Sequence, residues 1–208
     1  MKTIIACGLR LFALSAAAVS LQLHSQIDPS LAPAASAGGD SDLPVMSSDG
    51  RFVLFASTAD NLALTTNNLP YRCLQFSCYN VFLRDRASNT PVLVSVNTDG
   101  TSGADQDAFP SGISTNGQFA LFETAADNLS AKATNGVSTV FVRDMVNGTT
   151  LVISANTNGV NGNDDSYSSV MTPDGRYVAF YSLSRETFLP RSPCLLSRAE
   201  RTCHNFVE

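Results

Sequence analysis

The chain repeats itself, and that limits its fold more than any other property. The run Ser47-Ser48-Asp49-Gly50-Arg51-Phe52-Val53-Leu54-Phe55 returns as Ser114-Thr115-Asn116-Gly117-Gln118-Phe119-Ala120-Leu121-Phe122. It returns again as Thr172-Pro173-Asp174-Gly175-Arg176-Tyr177-Val178-Ala179-Phe180. A second block, Asn80-Val81-Phe82-Leu83-Arg84-Asp85, matches Thr139-Val140-Phe141-Val142-Arg143-Asp144, and a third, Leu93 to Gly100, matches Val152 to Gly159. Ala59-Asp60-Asn61-Leu62 recurs at Ala126 to Leu129. Repeats of this length mean that one small unit is built several times and stacked.

Each repeat spells four strands. Asp49-Gly50, Asn116-Gly117 and Asp174-Gly175 are expected as tight hairpin turns, since both central residues tolerate positive φ. Around Phe52 to Phe55 apolar residues occupy both alternating sets, so both faces of that strand should be buried, as stacked sheets require. No helical period survives after the N-terminal region. The expected fold class is all-β, a partial β-propeller of four-stranded antiparallel blades, about two and a half in number.

The pattern Ser/Thr-x-Asp/Asn-Gly-x-Phe/Tyr-x-x-Phe, followed by Val-Phe-x-Arg-Asp, resembles the TolB-like, WD-repeat-like β-propeller repeats of exported bacterial proteins. The resemblance runs over residues 44 to 182. It implies a fold and leaves function open, because such propellers serve as binding modules, complex subunits and accessory domains of peptidases.

The expected organisation is a signal peptide over 1–25, a flexible linker over 26–43 and an incomplete propeller over 44–208. Its blades are read as 44–109, 110–167 and a partial 168–208. Lys2 is followed by a run from Ile4 to Leu21 that is apolar apart from Arg10, and Arg10 near its middle with the small residues that follow reads as a cleaved export signal rather than an anchor. The expected location is therefore secreted or periplasmic, with no membrane span after cleavage. Residues 26 to 43 are rich in Ala, Ser, Pro, Gly and Asp and read as linker.

A shift of 125 positions carries Asp49, Gly50, Val53 and Phe55 onto Asp174, Gly175, Val178 and Phe180, and without a gap Cys78 and Asn80 onto Cys203 and Asn205. The chain would then stop inside a third strand, which suggests a fragment of a longer protein. Copies that assemble to complete a ring are a second possibility. Each open end should expose about half a dozen apolar side chains, a forfeit on the order of 10 kcal/mol at roughly 1.5–3 kcal/mol each.

Export leaves Cys73, Cys78, Cys194 and Cys203 after Cys7 is removed, an even set in an oxidising compartment. Each pair sits in matching loops, which favours Cys73–Cys78 and Cys194–Cys203 disulfides; a short ring of this kind is worth about 2 kcal/mol. Neither pair has Cys-x-x-Cys spacing, so no metal is expected. Asp85 and Asp144 are expected to cap turns, with Arg84 and Arg143 as solvated neighbours. The Asn/Asp/Gly-rich loops from Asn97 to Asp107 and Asn156 to Asp165 lack the calcium-loop spacing and read as turn chemistry.

A net charge of −5 with no basic run excludes a nucleic-acid partner. His24 falls in the signal and His204 in the last loop, and there is no Gly-x-Ser-x-Gly or His-Glu-x-x-His, so no catalytic set and no cofactor are expected. The reading is a non-enzymatic module that binds a protein or glycan ligand, with self-association through an open blade face as a further partner. Contact residues are expected in the first inserted loop, at Tyr71, Leu74, Gln75, Phe76 and Tyr79, because loops that depart from a regular scaffold carry binding. The alternative is an accessory propeller of an exported hydrolase whose catalytic domain lies elsewhere.

Overall fold

A computed structural model of the chain describes residues 37–63, 78–132, 135–156 and 159–184, and the backbone of 202–206. Every regular element among them is a strand. The first sheet runs β1 (Ser41–Met46), β2 (Phe52–Ser57), β3 (Asn80–Asp85) and β4 (Thr90–Leu93), and the second β5 (Ala108–Ile113), β6 (Phe119–Thr124), β7 (Thr139–Asp144) and β8 (Thr149–Val152). The third contains β9 (Ser166–Met171), β10 (Tyr177–Ser182) and β11 (Thr202–Phe206). In each sheet consecutive strands pair antiparallel, so spatial order follows chain order. No helix among the described residues is long and apolar enough to cross a membrane.

The sheets stack face to face. β5 packs on β1, β2 and β3, and β9 on β5, β6 and β7. The first interface joins Phe52, Leu54, Val81 and Leu83 to Ile113, Ala120, Phe122 and Phe141. The second joins Leu121, Val140 and Val142 to Val178 and Phe180. Alternation along the strand explains this arrangement: Leu54 and Leu121 face the following sheet, and Val53, Ala120 and Val178 the preceding one. All six residues of β2 are buried, as its unbroken apolar run requires. Phe122 and Phe141 stack across strands with centroids 5.5 Å apart.

The hairpin turns differ from the two-residue type. Within these three Asp/Asn-Gly turns positive φ is confined to Gly50, Gly117 and Gly175 (72°, 72° and 75°). Gly50 N–H donates to Ser47 O, and Ser47 N–H to Phe52 O. The glycine therefore follows a type I turn as its left-handed residue. Asp49 serves by its carboxylate, accepting from Ser47 Oγ (2.6 Å) and Arg51 N–H (3.0 Å). Asn116 and Asp174 repeat this with Ser114 and Gln118, and with Thr172 and Arg176. Turn and capping bonds hold both Asp49 and Asp174 below the usual carboxylate range, led by the hydroxyl of Ser47 or Thr172.

Three further expectations need correction. Ser41 to Leu43, placed in the linker, belong to β1, and Gly38 N–H already donates to Asn61 Oδ1 (2.9 Å). The second and third sheets likewise begin at Ala108 and Ser166. The cause is a bulge early in each first strand, which breaks the alternation on which the repeat was aligned. Arg84 is not solvated but 1% exposed, its guanidinium donating to Asn89 Oδ1, and burial pulls its pKa down. Finally, the outward side of the first sheet is largely covered: Val53, Phe55 and Phe82 are buried in a cluster with Ala37, Ala59, Leu62, Ala63, Leu93 and Val96.

β11 pairs with β10 where a third strand is expected, but in another register. The repeat alignment would set Asn205 opposite Ser182, whereas Asn205 lies opposite Val178. The offset is four residues, an even number, so the strand keeps the same faces.

Candidate functional site

Of the five predicted contact residues only Tyr79 lies within the described residues; Tyr71, Leu74, Gln75 and Phe76 lie outside them. Tyr79 stands just before β3, at the seam between the first two sheets. Its N–H donates to Asp107 Oδ1 (2.9 Å), and its carbonyl accepts from Ala108 N–H (2.8 Å). The same clasp closes the next seam, where Ser138 N–H donates to Asp165 Oδ1 and Ser138 O accepts from Ser166 N–H, both at 2.8 Å. The clasp is therefore structural, and what distinguishes the first seam is the side chains it presents.

There the Tyr79 ring lies 6.0 Å from the Phe109 ring, tilted by 41°. Phe109 is 39% exposed and Tyr79 is half-buried. Two aromatic rings held by backbone bonds offer a rigid apolar surface with one hydroxyl, suited to a sugar face or to an apolar side chain. Phe109 was not singled out from sequence, although Phe109-Pro110 lies where the repeat begins. Its position recurs as Tyr167 in β9, 37% exposed, which pairs with Tyr181 at 5.0 Å between centroids.

Beside this seam the polar groups are committed. Asn80 Oδ1 accepts from Ser95 Oγ (2.7 Å) and Ala104 N–H (2.8 Å), and Cys78 Sγ lies 3.4 Å from Ala104 O. Asn128 ties the loop from Asn97 to Asp107 down, accepting from Asp105 N–H and donating to Gly103 O. Asn97 Oδ1 accepts from Thr101 and Ser102 N–H, and Asp105 Oδ1 from Asp127 N–H. These oxygens accept from backbone N–H groups of the loop itself and of Asp127. Among the described residues no group of three or more His, Cys, Asp or Glu is placed to hold a metal ion.

Asp85 and Asp144 do cap turns, accepting from Ala87 N–H and from Val146 and Asn147 N–H. Asp85 also pairs with Arg51 at 2.8 Å, and that guanidinium holds its carboxyl below the usual range. A further polar group joins the second and third sheets. Glu123 Oε1 accepts from both Ser169 N–H and Ser169 Oγ (2.6 Å each), and Ser169 shares a 2.7 Å bond with Ser111. It works as a latch between sheets. Of the cysteines, Cys73 and Cys194 lie outside the described residues, and Cys203 is described by its backbone alone.

The chain matches no family model and no curated protein. Among solved structures it is similar to TolB from Acinetobacter baumannii, with 12% identity over 73% of this chain and 28% of that one, at a TM-score of 0.43. A putative TolB from Agrobacterium tumefaciens gives 15% identity over 71% of this chain and 55% of that one, at 0.39. A prolyl endopeptidase gives 16% over 70% and 19%, at 0.41. The chain thus spans about a quarter to a half of the TolB structures it resembles, and its structural neighbours are TolB and other β-propeller proteins.

Proposed function

We propose that the chain is an exported, non-enzymatic propeller module that binds a protein or glycan ligand at the seam of its first two sheets. The carrying observation is the Tyr79–Phe109 pair, part-exposed and fixed from behind by Asp107 and Ala108, at the end of the loop that enters β3. Rigid aromatic rings contribute contact area at small entropic cost, which is why they dominate binding hot spots. Tyr71, Leu74, Gln75 and Phe76 complete the surface in this reading. Export and disulfides Cys73–Cys78 and Cys194–Cys203 belong to the same reading, since an oxidised loop would be stiffened beside the aromatic pair.

Array screening against soluble oligosaccharides and exported proteins tests the reading. Any ligand found should lose at least tenfold in affinity on Phe109→Ala and on deletion of 74–77. Unchanged binding by both variants would refute the site. Thiol titration of the unfolded chain without reductant should find none of the four cysteines reactive.

A further inference from the structure

At each internal seam the first strand of one sheet presses on the face of the sheet before it. Ile113, 9% exposed, packs in the cluster of Phe52 and Leu54, with Val45 against it. Met171 does the same at the second seam, where its Cβ lies 3.3 Å from the place a side chain on Gly112 would begin, and it packs on the cluster of Leu121. The turn ends lock as well. A Cβ on Gly117 would stand 2.6 Å from the Phe52 ring, and one on Gly175 2.6 Å from the Phe119 ring, so each turn glycine receives an aromatic ring from the sheet before it.

The two outer sheets carry the same positions exposed to solvent. Met46 in β1 stands where Ile113 and Met171 stand and is 62% exposed. Val170 in β9 stands where Val45 and Gly112 stand and is 60% exposed. Gly50 has the turn of Gly117 and Gly175, but the nearest atom to a Cβ there is Met46 Sδ at 3.7 Å. Tyr177, 43% exposed with the Arg176 guanidinium 5.6 Å from its ring centroid, holds the position of Phe52, which carries Arg51 in the same way at 4.8 Å, and of Phe119. The covered part of the first sheet, Val53, Phe55 and Phe82, lies farther out on β2 and β3 and leaves the β1 strip and its turn accessible.

We infer that two copies of this chain join head to tail, the third sheet of each against the first strand of the other. Met46 rests on Val170, and Tyr177 nests on Gly50. Every contact is one the molecule already makes twice internally, so the shapes match by construction. The three described sheets of two copies make six, inside the range of roughly four to eight at which propellers close, and a closed ring covers the exposed Met46 and Val170 of both copies. This goes beyond the ligand-binding reading and does not depend on it, because the test reads mass.

Light scattering on the purified chain should give twice the single-chain mass. Met46→Glu and Val170→Glu should each weaken association at least tenfold with the β-sheet circular dichroism retained, as expected of exposed positions. The double variant Met46→Lys/Val170→Glu should restore the two-copy mass. A wild-type chain that stays single at high micromolar concentration overturns the inference, as do an open-ended polymer and a dimer indifferent to both substitutions.

Discussion

Gly117 answers two demands at once. Its φ of 72° lies in the left-handed region, and a Cβ would fall 2.6 Å from the buried Phe52 ring. Gly100 has almost the same φ, 69°, with nothing within 4 Å. Gly100→Ala should therefore cost only the backbone strain of about 1–2 kcal/mol. Gly117→Ala should cost about 1–3 kcal/mol more, from forcing the ring out of a packed seam. Chemical denaturation of both variants checks the difference. Three carboxylates set a second expectation at this scale. Asp49, Asp85 and Asp174 have folded-state pKa values below their unfolded value of about 3.9, by turn and capping bonds and, at Asp85, by Arg51. Their contribution is full above that value and is lost as pH falls through the lower folded-state values. Thermal stability should thus drop on acidification below about pH 4, and Asp85→Asn should flatten that drop. The places of these turns were legible from Asp/Asn-Gly, whereas their type was not, because it depends on the Ser47 and Asp49 side-chain bonds that close the loop. Nor was Arg84: nothing local distinguishes a guanidinium that ends beneath Asn89 from one in water.

Among the strands, two-sided burial decides the energetics. Phe122 is fully buried between sheets and stacked on Phe141, so Phe122→Ala should destabilise by about 3–5 kcal/mol. Denaturant unfolding gives the number directly, and a loss below 1 kcal/mol would deny that the sheets are packed as described. The unbroken apolar runs of β2, β3, β6 and β7 made these elements readable, since only strands covered on both sides use them. The first strand of each sheet was less readable. A bulge at Asp42/Val45, and its counterparts in β5 and β9, interrupts the alternation, and the sheets begin earlier than the repeats suggest. Phe109 fell in that gap. The register of β11 was also hidden, because a slip by an even number of residues leaves the inward and outward sets unchanged.

As a whole the molecule is a short stack in which each sheet touches only its neighbours, and such stacks lose structure from the ends. Phe180 belongs to the interface of the second and third sheets alone. Phe180→Ala should accelerate hydrogen exchange in β9 and β10 well before β2 and β3, whose core does not include it. Uniform acceleration through all three sheets would show a single cooperative unit instead. What the residue order determined unaided was the kind of unit, its four strands and the places of its turns, because those depend on local periodicity and on φ preferences. Tertiary structure decided which residues remain uncovered, with Met46 and Val170 exposed where Ile113 and Met171 are packed. Identical positions in a repeat carry the same pattern in sequence, and only the presence or absence of a neighbouring sheet sets them apart.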